Sequence, residues 1–316
     1  MAMKAAVVSS YGATPVCAEF REPEPKRGDV LIEVEAASIT QLVRAQVAGR
    51  HYSMGAATHP PPFVAGAEGV GRTPDGRRVY FGFPAYPFGA MAGRAVVPAD
   101  MIAPLPDGLD PARAAALVNP AMSSWAALTR RAHMRNGETV WVLGATGASG
   151  GLAIEIARSL GAGRIVAFGR GTARAPALID RGADEVITLE GDDLAARVTA
   201  AAKSAPPDVV LDYIWGPPAT ALMSGLLKAH ISNACRWVQI GAVAGDPTHV
   251  PAGLLRATPI ALMGSGIGSV PTAELVVAIG EALRVADRLT IDFTTAPLDD
   301  VAAVWNSKQR TVLTMV

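Results

Sequence analysis

The chain has 316 residues, enough for two hydrophobic cores, and its 28 basic and 28 acidic side chains cancel to zero formal charge. Both signs are mixed along the whole length, so composition shows neither a nucleic-acid footprint nor an anionic-membrane patch. Half of the residues are hydrophobic, yet no uninterrupted apolar run is long enough to span a bilayer.

Met1-Ala2-Met3-Lys4 leads into strand-like residues 5–8 and not into a signal-peptide core, so a cytoplasmic protein is expected. The first third reads as short β-elements punctuated by proline and glycine. Residues 30–36 form a strand after the turn cluster Pro23-Glu24-Pro25-Lys26-Arg27-Gly28-Asp29, and residues 78–81 and 94–98 form two more. From Asp110 the pattern changes to helices at 111–117 and 123–131. Cys17 and Cys235 stand far apart and read as buried thiols, too few for a four-cysteine zinc lobe.

Strand 140–143 then runs into Gly144-Ala145-Thr146-Gly147-Ala148-Ser149-Gly150-Gly151 and a helix over 152–160. The spacing Ala145-x-Gly147-x-x-Gly150-x-x-Ala153, between strand and helix, is a variant of the dinucleotide-binding fingerprint. In it Gly147 is expected to make the tight turn and Gly150 to let helix and strand pack closely. The amides of Thr146, Gly147, Ala148 and Ser149 at the positive end of the helix face the pyrophosphate.

Strand 165–168 follows at βαβ distance, and Gly169-Arg170-Gly171-Thr172-Ala173-Arg174 at its end offers two arginines where an NADH enzyme carries a carboxylate. Guanidinium groups suit the 2′-phosphate, so Arg170 and Arg174 point to NADPH. Alternation continues with helix 175–181, strand 185–188, helix 194–202, strand 209–213, helix 219–227, strand 237–240 and strand 259–263. A helix at 271–285 and a strand at 312–315 close the chain. This pattern makes a doubly wound parallel sheet covered by helices on both faces, an α/β fold. Gly241 and Gly266 lie at its carboxyl edge, where the backbone can hold a nicotinamide amide.

These segments resemble the medium-chain dehydrogenase/reductase superfamily, in its zinc-independent quinone oxidoreductase-like branch. The pieces are Met3–Val8, residues 29–34, Gly66-Ala67-Glu68-Gly69-Val70-Gly71, Asp75-Gly76-Arg77-Arg78-Val79-Tyr80, the fingerprint, Gly182-Ala183-Asp184 and Leu298-Asp299-Asp300-Val301-Ala302. The resemblance spans nearly the whole chain. It implies a GroES-like β-rich catalytic domain over 1–119 and 271–316, interrupted by a Rossmann NADPH-binding domain over 120–270, and a homodimer formed through the late strand near residues 260–264.

Where zinc-dependent relatives place a cysteine and a histidine, this chain has Thr40 and Ala67, which cannot serve as normal ligands, and its five histidines are scattered. No metal is therefore expected, and Glu68 is left a structural hydrogen bond. The branch's usual Asn-x-x-Asp is replaced by Thr40-Gln41-Leu42-Val43, and the loop between Gly71 and Asp75 is shortened.

The resemblance places Tyr52, within Gly49-Arg50-His51-Tyr52-Ser53, where relatives present a tyrosine to the substrate. Tyr52 is thus a candidate donor to the developing oxyanion or a packing residue, with His51 as proton source. In Asn119-Pro120-Ala121-Met122-Ser123-Ser124-Trp125, Ser123 aligns with the hydroxyl that contacts cofactor near the nicotinamide. Asn119 and Ser124 are alternatives, and Ser124 could instead cap a helix. Thr40, Asn119 and Ser123 complete the expected cofactor contacts. Phe81, Phe83, Tyr86 and Phe88 form either an aromatic substrate wall or local core.

The function so implied is NADPH-dependent hydride transfer to a small apolar quinone or α,β-unsaturated carbonyl without zinc. A zinc-free carbonyl or alcohol oxidoreductase is the alternative within enzymes, and an NADPH-binding sensor or structural protein the alternative outside them.

Overall fold

A computed structural model describes residues 2–54 and 58–315, in two compact units: residues 2–119 with 276–315, and residues 120–275. In the first unit, β1 (Ala2–Val8) pairs antiparallel with β2 (Val16–Arg21). The long β3 (Asp29–Ser38) leads through Thr40 into α1 (Gln41–Val47), and β4 (Phe63–Val64) returns to β1. Antiparallel strands β5 (Glu68–Arg72), β6 (Arg78–Gly82), β7 (Arg94–Pro98) and β8 (Ile102–Pro104) build on β3. The shortened loop joins β5 to β6 as a tight hairpin closed by Gly76 at φ +81°. β3 and β5 approach so closely that a Cβ on Gly71 would lie 2.2 Å from the Glu33 carbonyl oxygen.

The helices expected at 111–117 and 123–131 are one element. α2 (Pro111–Ala126) runs through Pro120 and continues into a π-helical turn, Ala127–Arg131. A proline inside a helix costs about 3 kcal/mol. Burial of Leu117, Val118, Ala121 and Leu128 on the same helix outweighs that loss.

The second unit is a six-stranded parallel sheet. Its strands and helices, in chain order, are β9 (Thr139–Leu143), α3 (Ala148–Ser159), β10 (Arg164–Gly169), α4 (Ala175–Asp180), β11 (Glu185–Thr188), α5 (Leu194–Ser204), β12 (Val209–Asp212), α6 (Gly216–Ala229), β13 (Cys235–Gln239), α7 (Ala252–Ala257) and β14 (Ile260–Gly264). Strand order is β11-β10-β9-β12-β13-β14, with the chain reversing direction of travel on either side of β9. That is the doubly wound order with its switch point at the end of β9. Val140–Leu143 and Ile165–Phe168 are fully buried apolar runs, as strands covered on both faces must be. Trp141, Phe168 and Trp237 fill the core between sheet and helices.

α8 (Thr272–Leu283) leads back to the first unit, where β15 (Thr294–Pro297), α9 (Val301–Val304) and β16 (Thr311–Thr314) finish the chain. β16 pairs with the end of β3. Cys235 is buried as expected, whereas Cys17 is half-buried, its thiol donating to Asp299 Oδ1 at 3.1 Å.

Two glycines test the packing in opposite directions. Gly150→Ala drives a Cβ to within 2.3 Å of the Gly144 carbonyl oxygen, so backbone must move. An overpacking loss of about 1–3 kcal/mol is expected. Gly280→Ala in α8 meets nothing within 4 Å and should stabilise by about 0.5–1 kcal/mol through helix propensity. Thermal unfolding should show a lowered midpoint for the first and a slightly raised one for the second.

Candidate functional site

The glycine-rich turn after β9 begins with Gly144 at φ +86°, a conformation that a side chain would strain. Gly144, and not Gly147, makes the tight turn. Gly147 sits at φ −84° as the N-cap of α3. No side chain caps that helix, so its first-turn amides are left for a ligand and the positive end of the dipole stands open. Gly150 presses α3 against the turn, as expected.

The end of β10 packs on the same turn. Amides of Gly144 and Ala145 both donate to the Phe168 carbonyl at 2.9 Å, and a Cβ on Gly169 would meet Thr146 Cγ2 at 2.6 Å. Arg174 reaches back so that its Nη1 lies 3.4 Å from the Thr146 carbonyl oxygen, and Arg170 is exposed beside it. A cavity of about 500 Å³ adjoins this corner, lined by Thr146, Gly169, Leu178, Ile187, Arg197 and Ala201. Sequence spacing did not reveal Glu190. It comes round from the end of β11 to accept from the Gly171 amide at 3.3 Å.

At the end of β12 stands a buried carboxylate. Asp212 Oδ1 accepts from the amides of Ile214 and Trp215 at 2.9 and 2.8 Å, and Oδ2 accepts from Trp237 Nε1 at 3.1 Å. Burial pushes its carboxyl above the usual range, against the pull of those three donors. The turn it holds is strained: Trp215 has φ +53° and ψ −155°, a region that costs a residue with a side chain about 1–3 kcal/mol. The reading of 209–213 as a plain strand missed this turn. An Asp ending the apolar run Val209-Val210-Leu211 was the available signal, since buried carboxylates need donors.

Tyr213 follows, buried, with its hydroxyl 2.8 Å from Ser124 Oγ. Ser124 caps nothing. It lies inside α2, fully buried, next to Ser123, whose hydroxyl donates to the Pro120 carbonyl at 2.9 Å. Gly241 lies just past β13 and Gly266 just past β14. The two strands pair in parallel, and Ser265 N donates to the Gln239 carbonyl at 2.9 Å. Ser123, Thr146, Gly147, Ala148, Ser149, Gly150, Gly169, Arg170, Arg174, Gly241 and Gly266 thus all lie in the second unit, and Thr40, His51, Tyr52 and Asn119 in the first.

In the first unit Thr40 is buried, its Oγ1 accepting from the Val43 amide at 3.1 Å to cap α1. Asn119 Nδ2 donates to Glu68 Oε2 at 2.9 Å, and burial raises the Glu68 carboxyl despite that bond and the nearby Arg310 charge. Tyr52 is 71% exposed and its ring lies tilted against that of His51, the centroids 4.2 Å apart. His51 Nδ1 lies 2.7 Å from Ser53 Oγ and, in the tautomer protonated on Nε2, accepts from the Ser53 amide at 3.2 Å, and burial depresses the imidazole pKa. That tautomer presents Nε2–H as a donor, and the depressed pKa favours the neutral ring. Phe81 is core, and Phe88 packs edge-on against Phe20 beneath Arg21. Among the described residues no three His, Cys, Asp or Glu side chains gather as a metal site.

No protein-family model matches the chain. It is 28% identical, over 97% of both chains, to the probable NADPH-dependent quinone reductase tdiC of Emericella nidulans. Among solved structures it is similar to a quinone oxidoreductase from Thermus thermophilus, described also in complex with NADPH, at 27% identity and TM-score 0.78 over 99% of this chain and 100% of that one. A probable oxidoreductase from Mycobacterium abscessus matches at 25% identity and TM-score 0.78, with both chains fully covered. With a six-stranded doubly wound sheet, an antiparallel β-rich unit and these full-length likenesses, the chain has the fold of the medium-chain dehydrogenase/reductases and is similar along its whole length to their quinone oxidoreductase-like branch.

Proposed function

We propose that the protein is an NADPH-dependent oxidoreductase acting on a quinone or an α,β-unsaturated carbonyl without zinc. The observation that carries this reading is the turn from Gly144 to Gly150. Its uncapped helix start, its glycine-only backbone approaches and the adjacent Arg174 match the needs of a dinucleotide bearing a 2′-phosphate. The names of the Emericella relative and of the Thermus complex support the same cofactor.

When bound, NADPH supplies the hydride. The amides of Ala148, Ser149 and Gly150 hold the pyrophosphate, Arg170 and Arg174 the 2′-phosphate, and Ser123, Gly241 and Gly266 the nicotinamide end, with Thr40 and Asn119 as further contacts. Tyr52 donates to the oxygen that gains charge, and His51, after taking up a proton from solvent, passes it to the product anion and returns to its neutral form. Apart from the arginines assigned to the 2′-phosphate, these residues carry no fixed charge, which fits an apolar acceptor. One observation favours NADH instead: Glu190 brings a carboxylate to the β10 loop, where it can accept from a ribose hydroxyl. The half-exposed edge strand β14, with Ile260, Leu262 and Met263, suits pairing with a second copy in a homodimer.

Three measurements test the reading. Arg174→Ala should weaken NADPH binding about tenfold while leaving NADH nearly unchanged, because one charge-assisted contact to phosphate is lost. Titration of both cofactors decides it, and a wild type that prefers NADH would assign the loop to Glu190. Consumption of NADPH with a panel of quinones and enones should survive prolonged chelation, and metal analysis should find no stoichiometric zinc. Tyr52→Phe should lower turnover about a hundredfold without altering NADPH affinity; full retention of turnover would make Tyr52 a wall residue.

A further inference from the structure

We infer that Tyr213 is a positioning residue for the cofactor: its hydroxyl on Ser124 and its backbone between Gly144 and Gly241 hold two glycine turns at the spacing that a whole dinucleotide requires. This rests on the NADPH reading above. Three contacts converge on the residue. A Cβ on Gly144 would lie 3.4 Å from Tyr213 Cβ and 2.8 Å from Ile214 Cγ2, so the phosphate-facing turn leans directly on this segment. A Cβ on Gly241 would lie 2.6 Å from the Tyr213 carbonyl oxygen, so the nicotinamide-end turn leans on its other side. The hydroxyl bonds Ser124 Oγ at 2.8 Å, and Ser124 Oγ in turn lies 3.0 Å from the Pro120 carbonyl and 3.3 Å from that of Ser149 in the first turn of α3.

A proton arrangement that satisfies these atoms has the phenol donating to Ser124 and Ser124 donating to one of the two carbonyls. Burial keeps the phenol protonated, so the donor is present throughout the working pH range. Asp212 fixes the segment from below. Besides its side-chain bonds to Ile214 and Trp215, its carbonyl accepts from the amides of Ile240 and Gly241 at 2.7 and 3.1 Å. The strained Trp215 and the left-handed Gly216 that follow leave this stretch little freedom to relax. Tyr213 therefore acts through other groups and need not touch the cofactor itself.

A comparison of two ligands separates this role from simple stability. NADPH spans both glycine turns, whereas its 2′-phosphoadenosine half engages only the arginine-bearing corner. Tyr213→Phe and Ser124→Ala should each weaken NADPH binding about five- to tenfold, the loss of roughly one hydrogen bond. Binding of the half-molecule should be unchanged, and the double variant should be no worse than either single one. Calorimetric titration of the purified variants gives the constants, and unfolding midpoints without ligand confirm that each is folded. Ser124→Ala, a small deletion, keeps the test open if Tyr213→Phe fails to fold. Unchanged NADPH binding, equal weakening of both ligands, or additive single effects would overturn the inference while the NADPH reading stands. A wild type that binds neither ligand would remove that reading and this one with it.

Discussion

The second unit depends on close approach at the carboxyl edge of its sheet, of backbone to backbone at Gly150 and Gly241 and of backbone to side chain at Gly144 and Gly169. Gly144, Gly150, Gly169 and Gly241 each occupy a place where a Cβ would come within 3 Å of a neighbouring atom. Close approach of this kind does two jobs at once. It brings the start of α3 onto the end of β9, and it leaves the first-turn amides of that helix without a side-chain cap. The stability lost to glycine's freedom in the unfolded chain is recovered from the buried strands Val140–Leu143 and Ile165–Phe168 beneath.

Around that contact the polar groups are arranged as struts. Asp212 binds three donors in the apolar end of β12, which makes its carboxylate tolerable in a fully buried position and fixes a turn that would otherwise relax. In the first unit the same economy appears at Glu68 and Asn119, and at Thr40, whose hydroxyl is occupied with α1. Thr40 is thus a helix cap. In the proposed mechanism electrophilic assistance comes from hydrogen-bond donors, with Tyr52 and His51 lying ring against ring.

Residue patterns alone carried the alternation of strands and helices from residue 139 onward, the glycine fingerprint and the arginines that follow β10. These are local signals: buried parallel strands are uninterrupted apolar runs, and a helix start that faces phosphate needs small residues at fixed spacing. Helix α2 escaped the same reading, because Pro120 is a local break signal and the burial that overrides it comes from distant segments. For the same reason capping stood as one of two readings of Ser124, though a partner of its hydroxyl is Tyr213, 89 residues away.

The sequence by itself determined the class of fold and the place of the glycine-rich turn between β9 and α3, since each follows from residue types at short spacing. Only the tertiary structure decided which glycine takes the left-handed turn, how Glu190 reaches the Gly171 amide, and how Asp212 and Tyr213 hold the sheet edge. Those outcomes depend on pairs brought together by parallel strand order. The order arises from crossover geometry and core packing across the whole unit, which no window of neighbouring residues contains.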